Sequence, residues 1–219
     1  PGEISLAHRG VLFMDEFPEF PRSILEMLRQ PLEDGVVSIS RAHGRATFPA
    51  AFMLIASQNP CPCGYLGDNS HVCTCTTGQI LKYQKKISGP ILDRIDVHLE
   101  IPAVKIEKLT SENTTDSEDS KTIRSRVERA RNIQLKRFEK LSLTTNSEMG
   151  SRDIKELCPL STECIQLLKL AATKMNFSAR SYYRIIKLAR TIADIEGLPS
   201  ITPQHIAESL QYKPKLNLL

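Results

Sequence analysis

Tryptophan is absent from these 219 residues, and only five tyrosines and seven phenylalanines supply aromatic surface. Base stacking on a row of aromatic side chains is therefore not a device this chain advertises. It also lacks any run approaching the roughly 18 uninterrupted apolar residues of a membrane span. No basic stretch followed by an apolar one opens it, as a secretion signal would. Strong net charge is missing as well: 29 basic and 25 acidic residues leave +4, too little to name a partner alone. No glycine is followed by lysine anywhere, so the phosphate loop G-x-x-x-x-G-K-[ST] is not in the chain. The first residue is Pro1 rather than methionine, which reads as a piece of a longer polypeptide or a processed one.

What is present suits a folded, soluble protein. Hydrophobic residues make up 41% and charged residues 25%, enough apolar material for one large domain or two modest ones. Charge is unevenly spread. Residues 1–104 balance at −2 and residues 105–219 at +6, with much of the excess in Lys121–Leu141. Six cysteines occur, and Cys61, Cys63, Cys73 and Cys75 lie close together. With no secretion signal the expected compartment is the reducing cytoplasm, where such a cluster points to metal more than to disulfides.

Residues 1–104 read as alternating strands and helices. Val11–Met14 is a short apolar run ending in Asp15-Glu16, as expected of a strand buried on both faces of a parallel sheet. Pro21–Arg29 follows as a short helix. Val36–Ser40 and Arg45–Phe48 flank a glycine-containing turn, the pattern of a hairpin with Arg41, His43 and Arg45 near its tip. Phe52–Ala56 is a second buried strand, leading to Asn59-Pro60. A helix from about Gly78 to Ile87 and a helical turn ending at Arg94 come next, and Val97–Ile101 is expected to be a third strand. Thr110–Ser120 contains no apolar residue and reads as a flexible linker. Beyond it the expected helices are Lys121–Leu141, Thr162–Met175, Ala179–Ile195 and one from Pro203 to about Tyr212. Ser178 and Thr202 stand as N-caps, Gly197 as a terminator, and Ile201 with Ile206 as a hydrophobic staple.

A buried strand that delivers two acids to the carboxyl edge of a parallel sheet places them where open α/β sheets bind ligands. In nucleotide hydrolases the first acid holds magnesium and the second polarises the attacking water. The plainer reading of Asp15-Glu16 is an exposed strand end. Asn59 ends the next strand on the same edge, where an amide can orient a water, though Asn-Pro also forms turns. Arg94 lies between Asp93 and Asp96, either as a local ion pair or as an arginine reaching into a neighbour's nucleotide.

The order of these features, followed by a helical part containing Arg180, resembles the magnesium-chelatase-like branch of the AAA+ ATPases, and within it the ComM type of bacterial competence helicase. The stretches that carry the resemblance are GVLFMDEFPEF, LEDGVVSISRAHGRATFPAAF, LIASQNPCPCGYLGD, SGPILDRIDVHLEIP and SARSYYRIIKLARTIADIEG. The resemblance implies an α/β fold: a partial AAA+ P-loop-type parallel sheet with a β-hairpin insert, over residues 1–104. A polar linker, 105–120, and an all-α lid domain, 121–219, would follow. It implies that Asp15 and Glu16 are the Walker B pair, with Asp15 on Mg2+, Asn59 sensor 1, Arg94 the arginine finger and Arg180 sensor 2. Arg41, His43 and Arg45 would contact DNA from the pre-sensor hairpin. The intact protein is then expected to be an ATP-dependent hexameric DNA translocase that promotes branch migration on single-stranded or branched DNA. This segment, without a phosphate loop, is expected not to hydrolyse ATP alone. The alternatives are a magnesium chelatase motor subunit, or a non-catalytic scaffold that naturally lacks the loop.

Cys61-x-Cys63 and Cys73-x-Cys75 suit a tetrahedral Zn2+ site, with His71 as a substitute ligand. The other readings are reduced cysteines that merely pack, or disulfides under oxidising conditions. Cys158 and Cys164 are expected to be half-buried, and His8, His98 and His205 structural. In Lys121–Leu141, Arg124, Arg126, Arg129, Arg131, Lys136 and Arg137 have the charge to neutralise phosphates, but a solvated face explains them more simply.

Overall fold

A computed structural model of the chain describes residues 2–41, 44–68, 70–102 and 118–214, the side chain of Arg41 excepted. The hairpin-tip residue His43, most of the expected linker and the last five residues lie outside the described residues. Two compact units are present: Pro1–Ile95 with Ile101–Ala103, and Asp96–Glu100 with Val104–Leu219. No described helix is long and apolar enough to cross a membrane.

The first unit opens with α1 (Glu3–Leu6) and β1 (Val11–Met14). A 3-10 turn, Phe17–Glu19, leads to α2 (Arg22–Met27) and α3 (Arg29–Asp34). The expected single helix is thus longer and is broken at Leu28. Gly35, at φ +65°, ends α3 in the left-handed region where a glycine carries no steric cost. Strands β2 (Val36–Arg41) and β3 (Gly44–Pro49) pair antiparallel from Val36↔Pro49 to Arg41↔Gly44, which is the expected hairpin. β4 (Met53–Ala56) runs parallel to β1, in register from Val11↔Met53 to Met14↔Ala56. The two strand pairs form separate sheets. Short helices α4 (Thr77–Gln84) and α5 (Gly89–Leu92) complete the unit.

The β1–β4 sheet is covered on one face. Leu12, Met14 and Leu54 pack in a cluster with Phe17, Leu25, Leu28, Ile87 and Ile91. Residues of opposite parity stay open: Val11 is 55% exposed, Phe13 62%, Met53 54% and Ile55 45%. That corrects the expectation of strands buried on both faces. These strands are apolar on both faces, but among the described residues only one face has a covering layer. The expected third strand is also corrected. Val97–Ile101 has no strand pairing; the His98 N–H instead donates to the Tyr212 carbonyl at 2.8 Å. A parallel strand forms only beside a neighbour in register, and among the described residues the sheet consists of β1 and β4.

The second unit is helical: α6 (Ser120–Arg137), a 3-10 turn at Asn146–Glu148, α7 (Ser151–Leu157), α8 (Thr162–Met175), α9 (Ala179–Glu196) and α10 (Pro203–Gln211). Asp119, Ser161 and Ser178 each accept the N–H of the third residue onward, worth about 1 kcal/mol per cap. Helix α6 begins at Ser120 and stops at Arg137, short of the expected Leu141. Helix α7 was not expected, because seven residues with two apolar positions show little periodicity. Its core joins Phe138, Met149, Ile154, Leu168, Ile185, Ile186, Ile201 and Ile206. Cys158 and Cys164 belong to this core and are fully buried rather than half-buried. His205 is buried and bonds the Thr202 N–H and Glu196, a structural role as expected.

Beside that core lies a buried ionic network. Arg137 donates to both carboxylate oxygens of Asp194, at 2.8 Å to Oδ2, and to Asn146 Oδ1 at 2.8 Å. Asn146 Nδ2 donates back to Asp194 Oδ2 at 2.8 Å, and Arg190 Nε to Oδ1 at 3.1 Å. Arg190 also binds the carbonyls of Leu198 and Pro199, fixing the chain after α9. Burial pushes the Asp194 carboxyl up, but the hydrogen bonds from Arg137 and Asn146 and the two guanidinium charges outweigh it and hold the carboxyl low. A lowered folded-state pKa stabilises the fold above the unfolded value, about 3.9, and the contribution is lost as pH falls through the folded value. Asp194→Asn should therefore destabilise the helical unit by about 3–5 kcal/mol, because two buried guanidinium groups lose their counter-charge. Urea titrations followed by circular dichroism should also show that the variant lacks part of the wild-type stability loss at acid pH.

Candidate functional site

The parallel register dictates what stands at the carboxyl edge of the β1–β4 sheet. One step beyond Met14↔Ala56 are Asp15 and Ser57. The Ser57 N–H donates to the Met14 carbonyl at 3.0 Å, and the Phe17 N–H donates to the Ser57 carbonyl at 2.8 Å. The Ser57 hydroxyl donates to Asp15 Oδ1. The Glu16 N–H is shared between Asp15 Oδ1 at 3.0 Å and Ser57 Oγ at 3.3 Å. Glu16 is left-handed, at φ 49° and ψ 46°, a conformation that costs a non-glycine residue about 1–3 kcal/mol. Both carboxylates are exposed.

Sequence reasoning missed Ser57. The signal was its position, two residues before Asn59 and directly after the second strand, but its pairing with Asp15 needed the register. Carboxylate and hydroxyl oxygens are hard donors, and an exposed edge leaves room for water, so this donor set fits a magnesium ion that keeps most of its hydration shell. A triphosphate needs more. The chain has no phosphate loop, and the backbone cradle that such a loop supplies is not encoded in these residues.

Asn59 is exposed, two residues beyond Ser57. The next carbonyl, of Pro60, accepts from Gln84 Nε2 at 3.4 Å. That contact ties the strand end to α4. The cysteine loop lies between them in sequence. Cys61 Sγ stands 3.4 Å from Cys63 Sγ and 3.7 Å from Cys73 Sγ, and Cys63 and Cys73 are 3.6 Å apart. With Cys75, all four sulfurs fall within 4.8 Å of one another. A regular tetrahedron with metal–sulfur bonds of about 2.3 Å has sulfur–sulfur edges of about 3.8 Å. The four sulfurs therefore have the spacing of a tetrathiolate metal site, and all are free thiols, not disulfides.

His71 stands apart from the thiol cluster; its ring stacks on Tyr65 at 4.8 Å and its Nδ1 meets Ser70 Oγ. The N–H groups of Tyr65 and Thr74 aim at Cys63 and hold its thiol down to about 5, while burial and the Cys63 sulfur push Cys75 up to about 12. Four adjacent thiols resist ionising together unless a cation joins them.

The remaining candidates sit elsewhere. Arg94 follows α5; its guanidinium binds Glu33 of α3 at 2.9 Å and the Pro90 carbonyl at 2.6 Å, and its side chain is 11% exposed. Glu33, sixty-one positions away in sequence, is therefore an ion-pair partner of Arg94. Arg180, exposed in the first turn of α9, belongs to the helical unit. Arg45 is exposed on β3 and Arg41 ends β2, where Arg41 pairs with Gly44. In α6, Arg126 is taken by Glu118 through two 2.8 Å bonds and Arg137 by Asp194, which removes two of that helix's six candidate phosphate contacts. Lys82, Lys85 and Lys86 line a cleft of about 410 Å³ with Arg22 and the single carboxylate Glu19. That concentration of cations was invisible in the sequence, because Arg22 and the lysines are far apart along the chain.

Comparison with known proteins bears on this geometry. Residues 1–109 match the family model "Magnesium chelatase, subunit ChlI", and residues 117–213 match "Magnesium chelatase, subunit ChlI C-terminal". The chain is 42% identical over 221 residues to Competence protein ComM of Haemophilus influenzae, covering 100% of this chain. It is 42% identical over 213 residues to YifB of Escherichia coli K12, covering 97% of this chain. It is 33% identical over 213 residues to Rv2897c of Mycobacterium tuberculosis H37Rv, again over 97%. It spans 41–42% of the length of each of these relatives. A paired acid edge on a small parallel sheet, a hairpin insert, a helical C-terminal unit and matches along almost every residue place this chain in the magnesium chelatase subunit ChlI family, as a ComM-type member.

Proposed function

We propose that these residues are the catalytic-edge and lid portion of an ATP-hydrolysing ring motor that moves DNA. The observation that carries the reading is the Asp15–Ser57–Glu16 arrangement at the carboxyl edge of two parallel strands, with Asn59 two residues beyond Ser57. In this reading Asp15, supported by the Ser57 hydroxyl, holds magnesium. The ion's contribution is to neutralise charge on the phosphates. Glu16 takes the proton of the attacking water, and its left-handed backbone turns it away from the strand axis. Asn59 orients that water. Arg94 leaves Glu33 to stabilise transition-state charge in an adjacent subunit of a ring, which the reading makes a hexamer. Arg180 senses the terminal phosphate. The phosphate loop comes from polypeptide outside these 219 residues.

DNA as the substrate is supported by the sequence of the hairpin, in which Arg41, His43 and Arg45 follow at alternate positions, and by the likeness to a competence protein. The family models themselves favour a second reading, in which the motor drives a chelatase and ignores DNA. The cysteine cluster is read as structural zinc, since four soft thiolates fill the coordination sphere and leave no position open for catalysis.

The 219-residue segment should show no magnesium-dependent ATP turnover, while the full-length protein does. In the full-length protein, Glu16→Gln should lower kcat by about 10²–10⁴ with nucleotide binding retained; an unchanged kcat removes Glu16 as the base. Full-length protein should bind branched DNA with an affinity that falls steeply with salt, and Arg41→Ala with Arg45→Ala should reduce the slope by about one unit per lost phosphate contact. No salt-dependent binding would leave the chelatase reading standing. Protein purified without chelators should contain one zinc per chain by elemental analysis, a value Cys73→Ser abolishes.

A further inference from the structure

Around the thiol cluster, the turn that holds its first two cysteines lies close to Asn59. Cys61 is fully buried and follows Asn59 by two residues. The Gly64 N–H closes the turn on the Cys61 carbonyl at 3.0 Å. Gly64 has φ +84°, a left-handed conformation that favours glycine, and a Cβ placed there would lie 4.0 Å from Asn59 Cγ. The Asn59 side chain thus lies near the backbone of Gly64.

From Pro60 to Cys75 the described chain contains no helix or strand. A long irregular segment orders only if something other than backbone ladders holds it. On its far side Cys75 adjoins Thr76, whose capping box with Gln79 starts α4. That helix in turn supplies Gln84, whose Nε2 donates to the Pro60 carbonyl next to Asn59. Joining Cys61 and Cys63 to Cys73 and Cys75 therefore closes a ring running from Pro60 through the loop to α4 and back to Pro60, the residue after Asn59.

We infer that a zinc ion on Cys61, Cys63, Cys73 and Cys75 positions Asn59 for hydrolysis, so that loss of the metal disables turnover while leaving nucleotide binding intact. The inference rests on the zinc reading and on the role of Asn59 in orienting water. Zinc does no chemistry on the nucleotide; the four cysteines are positioning residues. A displacement of about 1 Å in a group that orients a reactant is enough to cost about a hundredfold in rate.

The test uses the full-length protein. Stripping the metal from the wild type with a high-affinity chelator should lower kcat about a hundredfold with KM for ATP little changed, and added zinc should restore it. Cobalt in place of zinc should give the intense thiolate-to-metal absorption of a tetrahedral tetrathiolate, a readout independent of activity. In Asn59→Ala, already slow, chelation should cause no further loss, because both changes remove the same constraint. Equal fractional loss in both backgrounds, or loss of ATP binding together with kcat, would make the metal a general support of the fold and overturn the inference. Absence of metal from the purified protein overturns it directly. An Asn59→Ala variant with wild-type kcat defeats the role of Asn59 itself, whereas a slow Asn59→Ala with chelation harmless to the wild type defeats only the positioning by zinc.

Discussion

The parallel pairing of β1 with β4 is the constraint on which the acid edge depends. Two four-residue strands are a small sheet, and their register is held from both ends. At the entry, the Arg9 N–H bonds the Ala51 carbonyl, the Ala51 N–H bonds His8 Nδ1, and the Met53 N–H bonds the Gly10 carbonyl. At the exit, Ser57 bonds Met14 and Phe17 through its main chain and Asp15 through its hydroxyl. Side chains alternate faces with a period of two, so a slip of one residue would send Leu12 and Met14 out of the core and bring Phe13 in. It would also separate the Asp15 carboxylate from the Ser57 hydroxyl. One register thus decides core packing and the geometry of the two acids at once.

The two units differ in how completely they satisfy their own apolar surface. The helical unit encloses a core of eleven buried residues and adds a buried ionic network whose carboxylate receives bonds from two arginines and an asparagine. The sheet-bearing unit leaves Val11, Phe13, Met53 and Ile55 open on the second face of its strands. Contiguous apolar strand surface of that kind favours association with other polypeptide. Relatives more than twice as long as this chain are consistent with such cover being encoded elsewhere.

Local chemistry was readable from the residues; long-range partners were not. The apolar run before Asp15-Glu16, the hairpin turn around Gly44, the cap Ser178 and the stop at Gly197 each follow from a few adjacent residues. The four cysteines were legible as a cluster because they are close in sequence, although the exclusion of His71 depended on where its ring stacks. What sequence could not supply were pairings set by tertiary folding: Ser57 with Asp15, Glu33 with Arg94, and Arg137 with Asp194. The expected strand at Val97–Ile101 failed for a related reason. Its residues have strand propensity, but a strand exists only when a neighbour offers its ladder, and propensity says nothing of the neighbour. Arg137 was misjudged in the same way, since a basic residue on a charged helix looks solvated until a buried carboxylate is found opposite it.

The Glu33–Arg94 pair carries a consequence of its own. Any anion that recruits this guanidinium must do so by exchange, not by capture, because a carboxylate already occupies it in a poorly solvated position. The incoming group's advantage is then only the difference between two ion pairings. The trade is reciprocal: whatever strengthens the hold of Glu33 weakens the competitor by the same free energy. The displaced charge does not vanish either. It is left on the last turn of α3, beside Asp34 and two residues from Gly35, where the chain turns into the hairpin. Departure of Arg94 would thus deposit unbalanced negative charge at the root of the element whose far end carries Arg41 and Arg45.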